Sequence, residues 1–188
     1  MLTLKNRIVR SATNEHLSET DGQVTRAWAD ALIELAAHEV GLVISGHFCV
    51  DASQRADEGQ PVVDEKTDRE ILRYAADGVH QYGSKVLIQL SHSGIKAMEA
   101  LNGIPPKHPE DFTSQELDRL VERFASAARR CQDCGADGVQ IHTAHGYLLS
   151  NFLNPAENLR TDEYGGSLAN RFRLIAHILS AVKTACGK

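Results

Sequence analysis

Two imidazoles and a phenol fall close together in the run His142-Thr-Ala-His145-Gly-Tyr147. Neutral imidazoles donate hydrogen bonds, and a pair aimed at one oxygen polarises a carbonyl in the manner of an oxyanion hole. A tyrosine beside them can hand over a proton as a general acid. Taken singly, His142 reads as a satisfied interior histidine and Tyr147 as packing; together they favour chemistry. Zinc competes for the two histidines, but beyond Glu157 and Asp162 no carboxylate stands at a matching strand end.

Gln89 is a second polar candidate. It alternates with Ile88 and Leu90 in a strand-like run, so its amide faces inward, where an unpartnered polar group is costly. A group with both a donor and an acceptor suits the edge of a heterocycle such as a flavin pyrimidine ring. His92, just beyond, reads as structural. Cys131-Gln-Asp-Cys134 has redox or zinc spacing, but it ends a helical stretch with no second Cys or His pair near by, so two ordinary helix cysteines are expected.

Short apolar runs alternating with helical patterns must position these residues, and they do so four times, the signature of a parallel sheet. The strands are expected at Arg7–Ser11, Gly41–Gly46, Lys85–Leu90 and Gly138–His142. The helices are expected over Thr25 to His38, Asp64 to Tyr82, Thr113 to Cys134 and Leu168 to Ala185. Thr113-Ser-Gln-Glu116 is a capping-box pattern, and Ser167 is placed to cap the last helix. In the fourth strand Val139 and Ile141 would face the helices, and Gln140 and His142 the interior. The chain must then turn at Gly146 to bring His145 to the same site. Four units would need four more to close an eight-stranded barrel; an open doubly wound sheet is the alternative, although no Gly-x-Gly-x-x-Gly turn follows any strand. The pattern alone leaves both open.

The 188 residues are 42% hydrophobic with a formal net charge of -5. This is a globular composition with no basic footprint for nucleic acid and no basic membrane face, so a small-molecule substrate is the expected partner. The four cysteines are too few and scattered for a disulfide framework, and no apolar run has the length of a signal or membrane segment; a cytoplasmic protein is expected.

Several of these runs carry a resemblance. Leu4-Lys-Asn-Arg-Ile-Val9, Gly41-Leu-Val-Ile-Ser-Gly46, Gln89-Leu-Ser-His-Ser-Gly94 and Gly138-Val-Gln-Ile-His-Thr-Ala-His-Gly-Tyr-Leu-Leu149 look like those of the NADH:flavin oxidoreductase/Old Yellow Enzyme family. Asn151-Phe-Leu-Asn-Pro155, Arg160-Thr-Asp-Glu-Tyr-Gly-Gly-Ser167 and Asn170-Arg171 continue the match in order. The resemblance implies an α/β fold of the (β/α)₈ TIM-barrel type, with residues 1–188 forming its N-terminal half as a single incomplete domain. It implies FMN, reduced by NADPH or NADH, passing hydride from its N5 to an activated alkene such as an α,β-unsaturated carbonyl compound. Ser11, Ala12 and Thr13 fall where the first-strand loop lies along the flavin, Gly46 where the second strand approaches the ring, and Gln89 at the pyrimidine edge. His142, also beside the flavin, and His145 correspond to the pair that grips the substrate oxygen. Tyr147 corresponds to the proton donor.

The chain departs from the family at Asn14, commonly Cys or Thr; at Ile95, where arginine is frequent; and at Gln140, often Glu. These positions bear on substrate preference. The family's phosphate grip would lie beyond Lys188, and the usual short segment before the first strand is missing. A half-barrel with two open edges is expected to be marginal alone. The alternative function is therefore a non-catalytic half that requires a homo-oligomer or a complementary half-barrel to fold and bind flavin.

Overall fold

The computed structural model describes residues 2–187. Its four strands, β1 (Val9–Arg10), β2 (Leu42–Cys49), β3 (Lys85–Ser91) and β4 (Gly138–Ile141), form one parallel sheet in the order β1-β2-β3-β4. Sequential parallel neighbours joined through helices form consecutive staves of a barrel. The connecting elements are α1 (Arg26–Ala37), α2 (Arg69–Gln81), α3 (Glu99–Asn102), α4 (Ser114–Asp133), α5 (Leu148–Leu153) and α6 (Leu168–Cys186).

The helices start where local chemistry dictates. Thr25 Oγ1 accepts from the N–H of Trp28 at 3.1 Å, and Asp68 Oδ1 from that of Glu70 at 2.8 Å. At α4 the expected capping box is complete: Glu116 N–H donates to Thr113 Oγ1 at 3.2 Å, and Thr113 N–H donates back to Glu116 Oε2 at 2.8 Å. Ser167 caps α6 through the N–H of Asn170.

The apolar stripes of α1, α2 and α4 lie on the sheet, and α6 packs on α4 and α5. Trp28, Leu32, Leu72, Val79, Leu117 and Phe124 are buried in one core with Val43, Phe48, Val86, Ile88 and Leu90; Leu174 and Ile178 of α6 extend it, and Val139 and Ile141 pack at its edge. The expected alternation in the fourth strand is thus observed. The opposite sheet face carries Ile44, Leu87, Gln89 and Gln140, in register as Ile44 with Leu87 and Gln89 with Gln140.

Three differences from the sequence reading matter. The first strand is only two residues, because the chain after Arg10 leaves the sheet and is tied down by Arg10 Nη1, which donates to Glu15 Oε1 at 2.7 Å and to the Ile44 carbonyl at 2.8 Å. The second strand does not stop at Gly46 but runs to Cys49, with one extra residue between Ile44 and His47 relative to β3. The loops after β3 and β4 also contain the short helices α3 and α5, where the sequence pattern carries only turn residues.

Candidate active site

The extra residue in β2 decides which side chains reach the site. In an unbroken strand Ile44 and Phe48 would share a face. The bulge shifts the alternation by one, so that Phe48 pairs with Leu90 and packs into the helical core, while His47 pairs with Gln89 on the interior face. Gly46 sits within the bulge. Its N–H donates to both oxygens of Glu15, and a Cβ there would lie 2.8 Å from the Thr13 carbonyl and 2.9 Å from Asn14 Cα. Gly46 therefore gives the loop of Ser11, Ala12 and Thr13 room to lie against β2, and its own N–H is engaged by Glu15.

Gln60 fixes the orientation of His47. Gln60 is fully buried, and its Oε1 accepts the N–H of Ala56 at 2.6 Å, which aims its Nε2 at His47 Nδ1, also 2.6 Å away. An amide nitrogen only donates, so Nδ1 accepts and the proton of neutral His47 sits on Nε2. Burial lowers the pKa of His47; Asp57 offsets this, while His16 and His145 add to it.

His142 follows β4 directly, and its N–H still donates to the Leu90 carbonyl at 2.9 Å. The residue is 7% exposed, and burial, then His47 and His145, push its pKa down to about 4. At neutral pH it is an uncharged donor. The turn that sequence demanded is present: His145 and Gly146 both take left-handed backbone, with φ of 59° and 73°, and Tyr147 N–H closes onto the Ala144 carbonyl at 3.1 Å. Glycine adopts that conformation freely; His145 is held there by its neighbours. Tyr147 then opens α5, whose first N–H, on Leu148, donates to the His92 carbonyl at 3.0 Å.

These elements gather four rings. The centroid of His142 lies 4.9 Å from that of Tyr147, 5.3 Å from His145 and 5.9 Å from His47, and His47 is 5.1 Å from Tyr147. Burial raises the phenol pKa of Tyr147, with Asp57 and Cys49 adding to it, so the phenol keeps its proton. Gln89 continues the rim: its Nε2 donates to Gln140 Oε1 at 2.6 Å, and its N–H to Ser45 Oγ at 3.1 Å. The Gln89 carbonyl oxygen remains as an acceptor, and His142 Nε2 is buried without a hydrogen-bond partner. An orphaned buried ring nitrogen calls for a bound partner, so an acceptor and a neutral imidazole beside a polar rim fit a flavin-like heterocycle.

The expected residues therefore do come together: Thr13 against Gly46, Ser45 against Gln89, Gln89 against Gln140, and His142 with His145 and Tyr147. His47 and Gln60 were missed. The sequence signal for His47 was the resumption of the apolar run at Phe48-Cys49-Val50 after Gly46-His47, which marks a strand that continues. His92 is fully buried, its Nδ1 accepts from Gly94 N–H at 3.1 Å, and burial holds its pKa near 4, as a structural histidine. Burial raises the thiol pKa values of Cys131 and Cys134, so neither is an activated thiol. Among the described residues no group of three or more His, Cys, Asp or Glu is placed to hold a metal ion, and no helix is long and apolar enough to cross a membrane.

The NADH:flavin oxidoreductase / NADH oxidase family matches residues 1–188. The chain belongs to this family. Family membership implies FMN as cofactor and NADH or NADPH as its reductant. An NADPH dehydrogenase of a Geobacillus strain is 35% identical over 97% of the chain and 56% of its own length. An NADH oxidase of Thermoanaerobacter brockii is 31% identical over 100% of the chain and 31% of its own length. The Old Yellow Enzyme homologue from Zymomonas mobilis superposes with a TM-score of 0.91 at 27% identity, covering 97% of this chain and 57% of that one. The chain thus spans about half the length or less of these relatives, and its fold is part of their TIM barrel.

Proposed function

We propose that this chain carries the substrate-activating part of an FMN-dependent NAD(P)H oxidoreductase that reduces activated alkenes such as α,β-unsaturated carbonyl compounds. The observation that supports this most is the convergence of two imidazoles, one of them neutral by burial, and a protonated phenol at the C-terminal end of the sheet, where barrels of this type place their chemistry. FMN, when bound, supplies the hydride. Gln89 and His142 would hold its ring, with Ser11, Ala12, Thr13 and Gly46 bordering it. His142 and His145 would donate to the substrate oxygen, drawing electron density from the β-carbon, and Tyr147 Oη would give its proton to the α-carbon and recover it from water. The names of the curated relatives support either NADPH or NADH as reductant.

A second reading, a non-catalytic half that binds flavin only with a complementary half or a second copy, draws on the free edges of β1 and β4 and on the exposed Leu168, Phe172 and Leu179 of α6. One experiment separates them. The purified chain is mixed with FMN and reduced anaerobically with NADPH, and cyclohexenone or cyclohexanone is then added. Bleaching by NADPH and recovery of the flavin colour with the enone alone supports the enzyme. A chain that takes up no FMN contradicts activity of this chain alone, and recovery with neither ketone contradicts alkene reduction.

A further inference from the structure

A second cavity, of about 230 Å³, lies between the loops that follow β2 and β3 and the N-terminal half of α4. It shares no lining residue with the turn from His142 to Tyr147, with Gln89 or with His47. Ile104, Phe112 and Leu120 give it an apolar wall, and three polar groups around them have unmet binding capacity. The first is an acceptor. Gln54 is 1% exposed, its Nε2 donates to the Pro105 carbonyl at 3.4 Å, and its Oε1 is buried with no hydrogen-bond partner. The second is a donor. His92 is 2% exposed, and Gly94 N–H donates to its Nδ1 at 3.1 Å. The proton of the neutral ring therefore sits on Nε2, which makes no hydrogen bond among the described residues. The third is a cation. Lys107 pairs with Glu116 at 2.8 Å and Arg123 with Asp51, which leaves Arg119 as the charged group of the wall with no ion-pair partner among the described residues.

A buried amide oxygen without a partner forfeits a hydrogen bond that a bound molecule can supply. Water would answer the amide and the imidazole singly, but a free cation and an apolar wall beside them are complementary to one molecule that meets all four. We propose that this cavity is a separate ligand site for a small carboxylate that also carries a hydroxyl or amino group on a short aliphatic stem. The carboxylate meets Arg119 and His92 Nε2–H, the hydroxyl or amino hydrogen meets Gln54 Oε1, and the stem lies against Phe112 and Leu120. At roughly 30 Å³ per water the space holds about eight waters, which suits a short hydroxy or amino acid and not a nucleotide. His92 also supports the turn of Tyr147, since Leu148 N–H donates to its carbonyl at 3.0 Å. The ligand thus touches the support of that turn from outside, whether or not the chain reduces alkenes.

Calorimetric titration of the chain, with no flavin added, tests this. The probes are 2-hydroxy-4-methylpentanoate, 4-methylpentanoate, which lacks the hydroxyl, and 2-hydroxy-4-methylpentanamide, which lacks the charge. On the unaltered chain the hydroxy acid should bind about fivefold to tenfold more tightly than the acid without the hydroxyl, the worth of one neutral hydrogen bond. Gln54→Leu keeps the bulk, removes the acceptor and should erase that ratio. Arg119→Gln, at an exposed position, should weaken both acids about tenfold and leave the amide within about twofold. The three probes on the unaltered chain decide the matter even if Gln54→Leu does not fold. No saturable binding of the hydroxy acid up to about 10 mM, or equal affinity for the two acids, overturns the inference. Binding that Arg119→Gln leaves unchanged puts the ligand elsewhere and overturns it as well.

Discussion

The ring of Tyr147 stands edge-on to that of His142, with centroids 4.9 Å apart at 68°, although the turn of His145 and Gly146 lies between them in the chain. The contact holds the phenol beside the donor that would grip the substrate oxygen, so a single turn would set both oxygen binding and proton delivery in the proposed reaction. His142→Ala removes one of those donors. It should weaken binding of a non-reducible ketone about tenfold, measured by spectral titration of the FMN-loaded protein. An affinity equal to wild type would show that His142 does not touch the ligand.

The depressed pKa values of His142 and His92 make stability depend on pH in a defined direction. Both rings are neutral in the folded chain down to about pH 4, whereas the unfolded chain takes up protons from about pH 6.5. The unfolded state binds more protons in between, so stability should fall as pH drops from about 6.5 to 4 and level off below that for these two groups. Urea denaturation across this range checks it, and His142→Asn should flatten the slope. A stability that rises on acidification would contradict the burial of these rings as neutral species.

Gly46→Ala should both destabilise the chain and disturb the flavin-side loop. The added methyl meets the Thr13 carbonyl and Asn14 Cα at under 3 Å, and backbone cannot yield as a side chain can. Overpacking of this kind costs about 1–3 kcal/mol. The loss should appear in the urea midpoint together with weaker FMN uptake, since Ser11, Ala12 and Thr13 must shift. Unchanged FMN affinity in a folded variant would show that this loop does not border the cofactor.

What the sequence revealed divides by range. The capping box of Thr113 and Glu116 and the turn at Gly146 depend on residues a few positions apart, and both are present as expected. The inward placement of Gln89 follows from simple alternation within one strand. His47 escaped because its face is set by a bulge, and a bulge is a mismatch between two strands that neither strand records alone. Gln60 escaped for a similar reason: a loop glutamine becomes a site residue only once folding buries it against His47 and Ser91. The family resemblance supplied roles for the residues it matched and none for these two.

In the proposed reaction the turn from His142 to Tyr147 activates and protonates the substrate while playing little part in flavin reduction. Rapid-mixing kinetics of Tyr147→Phe, with each half-reaction followed separately, tests it most directly. Reoxidation of the reduced protein by cyclohexenone should slow by about 10²–10⁴-fold, the usual worth of a general acid, while bleaching by NADPH should slow far less. Equal slowing of both half-reactions, or reoxidation at the wild-type rate, would contradict it.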